Sequence, residues 1–137
     1  MSDTRFLVLK DISPAGMLEI QNKPFDERLE VLQELVDGCI EHYVIDEGLN
    51  DYYIDMWIND EGKFREDFRP MFALMHNGEL YDVIVGPCVF TMYDNEGYTH
   101  GLTSDAYKRV LKFLYECPSC TLSTKDGKSY TCLMVSK

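Results

Sequence analysis

The chain has 137 residues, a formal net charge of −11 at pH 7 and a hydrophobic fraction of 45%. This size and composition predict a single domain, residues 1–137, that buries an ordinary core. The charge argues against general attraction to nucleic acid or to an anionic membrane surface. The apolar runs are far too short to cross a bilayer, and no N-terminal apolar stretch follows a basic region. We therefore expect a cytoplasmic protein.

The first half of the chain predicts three or four strands and one helix. Residues 4–10 have the composition of a strand, and residues 17–20 form its expected partner across a turn at 13–16. A helix is expected from an N-cap at Asp26 to a stop at Gly38. Residues 39–45 and 51–58 are further expected strands. The helix should bury an apolar stripe at helical spacing, made of Phe25, Leu29, Leu32 and Val36.

The second half predicts more strands and a second helix. Residues 64–74 are expected to be irregular or to form a short helix interrupted at Pro70, whereas 80–85 and 88–93 have strand composition. The second helix should begin near Thr103 or Ser104 and end near Glu116. Residues 117–137 predict a Cys-containing hairpin appendage around the turn 125–128. Together these elements predict an α+β fold, a twisted and mainly antiparallel sheet with two principal helices packed on it.

The negative charge is concentrated in one segment. Residues 26–65 hold twelve acidic and three basic side chains, and so carry nine of the eleven net negative charges. A solvated acidic face explains such a run, and so does a surface that binds a basic partner. On the second interpretation the predicted partner-binding residues are Glu30, Glu34, Glu41, Asp46, Glu47, Asp51, Tyr53, Asp55, Trp57, Asp60 and Glu61.

The strand at 51–58 is central to this prediction because of its alternation. Asp51, Tyr53, Asp55 and Trp57 share one face, where successive side chains lie about 6.7 Å apart. That spacing matches about two nucleotide steps along one DNA strand. Carboxylates on this face would then imitate a phosphate track, with the two aromatic rings as anchors. The alternative is that a helix covers this face.

The cysteines leave two further interpretations open. Five cysteines form no even disulfide set, which favours reduced thiols. Cys117 and Cys120 have the Cys-x2-Cys spacing of a zinc knuckle, and Cys132 would return across the hairpin as a third ligand. A structural zinc site would need a fourth ligand from elsewhere. Unliganded thiols are the simpler alternative, and a redox pair is disfavoured because the motif follows a helix instead of opening one.

Two other function classes remain as alternatives. A small-molecule or nucleotide-signal binding protein would need a basic pocket, and the basic cluster available for it is Lys108, Arg109, Lys112, Lys125 and Lys128. An enzyme would need a catalytic constellation, but His42, His76 and His100 stand in no recognised spacing. We therefore expect a non-enzymatic protein that works without a cofactor, as a monomer or homodimer.

Four segments carry a resemblance to a known family. They are residues 32–41, 59–63, 82–86 and 101–103, within a stretch from 18 to 114. This stretch resembles a small domain family of unknown function from Gram-positive bacteria, their phages and mobile elements. The resemblance implies a mobile-element setting and supplies no catalytic residues. In that setting we expect an acidic protein that binds and inhibits a basic, nucleic-acid-binding host defence protein, without direct contact to nucleic acid or membrane.

Overall fold

The first strand, β1 (Arg5–Ile12), is buried on both of its faces. Phe6, Leu7, Val8 and Leu9 are all fully buried, and successive side chains of a strand point to opposite faces. A continuous apolar run of this kind therefore requires a covering layer on each side. These two layers define the architecture of the protein.

A computed structural model describes residues 4–49, 52–65 and 68–136. The side chains of residues 43–49, 52 and 63 are not described. Within the described ranges, ten strands, two α-helices and one turn of 3-10 helix follow one another. After β1 come β2 (Leu18–Pro24), α1 (Leu29–Val36), β3 (Ile40–Leu49), β4 (Tyr52–Asn59), the 3-10 turn (Gly62–Phe64), β5 (Pro70–His76), β6 (Glu79–Val85), β7 (Cys88–Tyr93), β8 (Thr99–His100), α2 (Ser104–Glu116), β9 (Ser119–Ser123) and β10 (Ser129–Ser136).

The strands form two sheets where the sequence predicted one. The first sheet has the order β2-β1-β7-β4-β3, with β8 paired to β7, and all of its pairings are antiparallel. The second sheet has the order β6-β5-β10-β9. Its β5 and β10 run parallel, and its other pairs are antiparallel. The predicted α+β class, with mainly antiparallel pairing, is confirmed.

Two apolar cores hold these layers together. The larger core joins one face of the first sheet to the second sheet and to α2, through residues such as Phe90, Phe72 and Val110. The smaller core lies on the opposite face of the first sheet, where Leu32 and Val36 of α1 pack against Phe6, Val8 and Val89. The helix α1 therefore covers the face of β4 that carries Trp57, which also packs against this core.

The first helix differs from its prediction at its N-terminal end. It begins at Leu29 after an N-cap at Arg28, which makes no side-chain cap bond, whereas Asp26 binds the Arg28 guanidinium at 2.8 Å. Leu29, predicted to be buried, is 53% exposed, while Leu32 and Val36 are buried as expected. The second helix begins and ends as predicted, with Thr103 as its N-cap. Across the described residues, no helix is both long and apolar enough to cross a membrane.

Two predictions about the second sheet were wrong. The segment 64–74 was predicted to be irregular, but its residues 70–74 belong to the strand β5, and Pro70 is the first residue of that strand, a position that needs no ladder donor. Residues 117–137 were predicted to be an appendage. Instead β10 lies between β5 and β9, and its Leu133 is buried in the larger core. The C-terminal strands are therefore part of the sheet that closes the main core.

Candidate functional site: an acidic cavity between the sheets

The acidic surface is organised by Asn59, the last residue of β4. Its Nδ2 donates hydrogen bonds to the carbonyl oxygens of Val36, at 3.2 Å, and Asp37, at 2.8 Å. Its Oδ1 accepts one from the backbone N–H of Glu61, at 2.8 Å. One buried amide thus ties the C-terminal end of α1 to the turn that follows β4. The acidic side chains of these two segments are brought to the same end of the molecule.

Gly38 makes this contact sterically feasible. A Cβ atom at residue 38 would lie 2.5 Å from Nδ2 of Asn59, and the backbone has a φ of +150°. A larger residue would push the amide away from the helix end. The backbone bond from the N–H of Asp60 to the carbonyl of Cys39, at 3.0 Å, holds the turn in the same place. The sequence indicated Gly38 as a helix stop, and the structure shows that it also makes room for Asn59.

A cavity of about 260 Å³ opens beside this turn, and we call it the acidic cavity. It lies between the β3–β4 edge of the first sheet and β6 of the second. Three acidic residues line it, Glu41, Asp60 and Asp82, and Oδ1 of Asp82 accepts a hydrogen bond from the backbone N–H of Val83 at 2.8 Å. Its apolar wall includes Ile58, Ile84 and Phe64.

Two features of the acidic cavity bear on binding. The ring of Phe64 is 86% exposed, so an apolar surface stands open beside the carboxylates. Gly62 approaches β6 so closely that a Cβ atom there would lie 2.5 Å from the carbonyl oxygen of Val85. The turn is therefore held against the second sheet by backbone contact. The wall of the cavity is set by the fold rather than by adjustable side chains.

The predicted acidic residues around the cavity are exposed to solvent. Glu30, Glu34, Glu41, Asp60 and Glu61 are all exposed. Within the part of the chain that the structure describes, Glu30, Glu34, Asp60 and Glu61 make no salt bridge. The described charged contacts of residues 26–65 include Asp26 with Arg28, at 2.8 Å, Asp37 with Arg65, at 2.9 Å, and Asp55 with the imidazole of His42, at 2.8 Å. Five of the eleven predicted partner-binding residues are therefore accessible to solvent.

Asp55 requires a correction. Its side chain was predicted to face a partner, but the residue has 0% exposure. Its Oδ1 accepts a hydrogen bond from the hydroxyl of Thr91, and its Oδ2 lies 2.8 Å from Nε2 of His42. Burial raises the pKa of the Asp55 carboxyl, although the bonds from Thr91 and His42 act in the opposite direction. Asp55 is an internal polar anchor rather than a contact residue.

The other predicted residues of β4 also face away from the acidic cavity. Trp57 is half-buried against the smaller core, and its Nε1 donates to the Thr91 hydroxyl at 2.8 Å. Tyr53 stacks on Tyr93 with ring centroids 4.9 Å apart. Glu41 pairs with Ile58 in the ladder, and so belongs to the opposite face of the sheet. The predicted row of Tyr53, Asp55 and Trp57 is real, but it does not form an exposed phosphate-like track.

Three predicted contact residues lie outside what the structure describes. Asp51 is not among the described residues. Asp46 and Glu47 belong to the strand β3, but the structure does not describe their side chains. Their assignment as partner-binding residues stays a prediction.

The structure also shows a polar network that the sequence did not indicate. His42 packs its ring on Trp57 at 4.7 Å between centroids and is 38% exposed, while its partner Asp55 is buried. A buried carboxylate that binds one imidazole nitrogen fixes the orientation of the ring. The sequence feature that could have indicated this network is an acidic residue, Asp55, within an alternating strand. Its partners His42 and Thr91 lie 13 and 36 positions away along the chain. Contacts between residues so far apart in sequence can be recognised only when the pairing of the strands is known.

The three cysteines predicted as zinc ligands are only partly brought together. Cys120 and Cys132 are opposite each other in the β9–β10 ladder, and Cys117 caps α2. In the described ranges, no group of three or more His, Cys, Asp or Glu side chains is arranged to hold a metal ion. Burial raises the pKa of Cys117 to about 11 and also raises those of Cys120 and Cys132. At neutral pH these thiols are protonated and therefore weak nucleophiles.

A second and larger cavity divides the predicted basic cluster. Its volume is about 590 Å³, and Lys125 and Lys128 are among the residues that line it. Lys108, Arg109 and Lys112 belong instead to α2 and do not line this cavity. Two of the five basic residues predicted for a small-molecule pocket therefore line this cavity.

Comparison with known proteins identifies the family but not an activity. The family model described as a domain of unknown function (DUF3846) matches residues 4–114. No curated protein and no solved structure matched the chain. Three of the four segments that carried the resemblance, residues 32–41, 59–63 and 82–86, contribute lining residues to the acidic cavity. The chain belongs to the DUF3846 family, a domain family of unknown function.

Proposed function

We propose that this protein is a non-enzymatic interaction protein that binds a basic partner by receiving one of its cationic side chains in the acidic cavity. The observation that carries this proposal is the position of Glu41, Asp60 and Asp82 around one opening of about 260 Å³. Pockets for drug-sized ligands have volumes of about 300–1,000 Å³. The acidic cavity is below that range, which favours a single side chain as its occupant.

The chemistry of the cavity matches an arginine or lysine side chain. Both residues have an apolar stem that packs on apolar surface and a charged head that stays polar. Val83 and Val85, both half-buried in the cavity wall, offer the surface for the stem, and the carboxylates accept charge-assisted hydrogen bonds from the head. The open ring of Phe64 adds a face for a cation–π contact. Arginine fits this combination best because its planar guanidinium both stacks and binds carboxylates in a bidentate manner.

The acidic residues outside the cavity supply longer-range attraction. Glu30 and Glu34 lie on the exposed side of α1, and Glu61 lies on the turn that Asn59 holds. A surface of one sign accelerates encounter with an oppositely charged partner, and salt weakens that effect. Nucleic-acid-binding proteins present clustered arginine and lysine, so they are the partner class that this surface suits. Direct nucleic-acid binding is disfavoured by the net charge of −11.

Occlusion of the partner is the proposed consequence. The resemblance implies a phage or mobile-element setting in the host cytoplasm, where masking the nucleic-acid surface of a host defence protein would inhibit it. The mechanism differs from the phosphate-track mimicry that the sequence suggested, because Asp55 is buried. The proposed contact is a cation held in a cavity, with exposed carboxylates around it.

A peptide titration tests the cavity without knowledge of the partner. The probe is the blocked tripeptide Gly-Arg-Gly, and its control replaces arginine with citrulline, which has nearly the same shape but no charge. We expect amide chemical shifts in the heteronuclear NMR spectrum to change around Glu41, Asp60 and Asp82. Citrulline should produce much smaller changes. Equal shifts with both peptides, or shifts spread over the whole surface, would contradict the proposal.

Matched charge variants test binding to a natural partner. One variant neutralises the cavity through Glu41→Gln, Asp60→Asn and Asp82→Asn. Its control neutralises three exposed carboxylates elsewhere, through Glu19→Gln, Glu79→Gln and Glu96→Gln. Both variants have the same net charge.

With a basic partner isolated from host extract and then purified, the cavity variant should bind about tenfold more weakly or worse, since charge-assisted bonds contribute about 1.5–3 kcal/mol each. The affinity of the control variant for the same partner should fall by less than about threefold. If the two variants weaken binding equally, only overall charge matters and the cavity has no special role.

A further inference from the structure

The larger cavity combines aromatic rings with cationic side chains, and we call it the basic groove. Its aromatic lining is Phe64, Phe68 and Tyr130, and its cationic lining is Arg65, Lys125 and Lys128. Of the described residues that line it, one is acidic, Asp126. In a chain with a net charge of −11, a concave site with this excess of positive charge stands out from its surroundings. The basic groove adjoins the acidic cavity and shares Phe64 and Val85 with it, but Glu41, Asp60 and Asp82 are not among its lining residues.

The aromatic wall of the groove is fixed in position. Phe68 packs on Gly86 so closely that a Cβ atom there would lie 2.6 Å from the ring, and Gly86 has a φ of +94°. The guanidinium of Arg65 lies 4.4 Å from the centroid of the Phe68 ring. That guanidinium is itself held by Asp37, at 2.9 Å. A ligand would therefore meet a preformed ring rather than a mobile one.

The cationic wall is equally defined by the turn between β9 and β10. The N–H of Thr124 donates to the carbonyl of Lys128 at 2.8 Å, and the N–H of Gly127 donates to the carbonyl of Thr124 at 3.0 Å. Asp126 accepts hydrogen bonds from the Thr124 hydroxyl and from the N–H of Lys128, and its Oδ2 lies 3.9 Å from Nζ of Lys128 in an exposed ion pair. The pKa of Asp126 is lowered, first by the bond from Thr124. Lys125 and Lys128 stand exposed on either side of it.

We propose that the basic groove binds a mononucleotide, with the base on the aromatic wall and the phosphate at Lys125 and Lys128. The cavity volume of about 590 Å³ lies inside the range of about 300–1,000 Å³ typical of small-ligand sites. Aromatic faces stack bases whatever their identity, and lysine binds phosphate as a point charge. A nucleotide presents both groups on one small molecule.

The charge of the whole protein selects a small anion over a polymer. At physiological salt, charges separated by more than about 8 Å are largely screened. A mononucleotide in the groove therefore senses mainly the local lysines. A nucleic-acid strand would extend beyond the groove over a surface dominated by carboxylates, and its phosphates would be repelled there. The proposed ligand is thus a free nucleotide and not RNA or DNA.

Calorimetric titration of the full chain with AMP tests the site. We expect saturable binding, and we expect adenosine and ribose 5-phosphate each to bind at least about tenfold more weakly, because each lacks one of the two contacts. Failure of AMP to saturate below about 10 mM would overturn the proposal. Tighter, steeply salt-dependent binding of a single-stranded RNA oligomer would also overturn it.

Two pairs of lysine substitutions give a matched control. The double variant Lys125→Gln, Lys128→Gln should weaken AMP binding about tenfold or more. The double variant Lys108→Gln, Lys112→Gln removes the same charge from α2 and should leave it unchanged. All four lysines are exposed, so both variants should fold, and a thermal melt checks this. Equal effects of the two variants would show that only net charge matters and would overturn the assignment.

Each of the two proposals can be refuted without refuting the other. The Lys125 and Lys128 variant should keep its affinity for the basic partner and for the arginine peptide. The variant neutralised at Glu41, Asp60 and Asp82 should keep its affinity for AMP. Loss of AMP binding in the cavity variant would place the nucleotide outside the groove and overturn this inference.

Discussion

Replacement of Thr91 by valine tests the buried network most directly. Thr91 is fully buried in β7, and its hydroxyl both donates to Asp55 and accepts from the Trp57 indole at 2.8 Å. Valine has nearly the same shape but neither hydrogen-bonding function. The substitution thus removes two hydrogen bonds without creating a large cavity. It leaves one oxygen of the buried carboxylate and the indole N–H without their partner.

The magnitude follows from those two groups. A buried polar group left unsatisfied costs about 1–3 kcal/mol, and more when the group is charged. Trp57 is only half-buried, so the cost of leaving its indole N–H without a partner should lie at the low end of that range. We expect Thr91→Val to lower the free energy of unfolding by about 2–4 kcal/mol. For a domain of this size, the melting temperature should fall by about 4 °C per kcal/mol.

The loss should also depend on pH in a defined direction. Burial already raises the pKa of Asp55, and the Thr91 bond partly offsets this. Valine should therefore raise the folded pKa further. A raised folded pKa gives stability that is complete below the unfolded value, about 4, and that is lost as the pH rises through the folded pKa. Urea unfolding should show a larger loss for Thr91→Val at about pH 8 than at about pH 5.

The control for this experiment is Thr121→Val. Thr121 is an exposed residue of strand β9, so the same change of side chain should alter the free energy of unfolding by less than about 0.5 kcal/mol. If Thr91→Val had an effect as small as this control, the hydroxyl would not be part of a buried network. A loss that did not vary with pH would show that Asp55 is not the group left unsatisfied.

Three further predictions concern other parts of the fold. Asn59→Ala removes three hydrogen bonds and should lower the free energy of unfolding by about 2–3 kcal/mol in urea titrations, whereas a change below about 0.5 kcal/mol would contradict its anchoring role. Gly86→Ala forces a Cβ atom against Phe68 at a positive φ and should destabilise by more than about 2 kcal/mol; an unchanged melting temperature would refute that close packing. Alkylation of Cys117 by iodoacetamide, followed by peptide mass spectrometry, should accelerate about tenfold per pH unit up to its pKa of about 11, and a plateau near neutral pH would contradict the raised value.

The local patterns predicted most of the elements in the first sheet. The alternation in β4 correctly separated Ile54, Met56 and Ile58 from Tyr53, Asp55 and Trp57, because a strand exposes alternate residues to opposite faces. Alternation does not say which face meets water. Here α1 covers part of the polar face, and His42 and Thr91 satisfy the carboxylate of Asp55. An acidic residue therefore became internal through contacts that no local pattern encodes.

The second sheet was harder to predict for a different physical reason. In β5, residues 70–74 are all buried, so the strand shows no alternation to distinguish it from an irregular segment. Its partner β10 pairs with it in parallel from about sixty positions further along the chain. Leu29 shows the same limit for a helix, since its spacing fits the apolar stripe but its side chain remains 53% exposed. Tertiary packing decided each of these cases.

The residues that shape the acidic cavity fall into two groups with different expected behaviour. Asn59 and Gly62 hold the turn by hydrogen bonds and backbone contact, so their substitution should affect stability and binding together. Glu41 and Asp60 are exposed carboxylates on the same frame. Like-charge repulsion among neighbouring carboxylates is unfavourable to folding, and a cation in the cavity would relieve it.

Glu41→Gln and Asp60→Asn should therefore leave the melting temperature unchanged or raise it slightly while they weaken binding of the arginine peptide. That opposition of stability and affinity is expected of side chains retained for a ligand. A fall of more than about 1 kcal/mol in the free energy of unfolding for either variant would mean that these carboxylates support the fold instead.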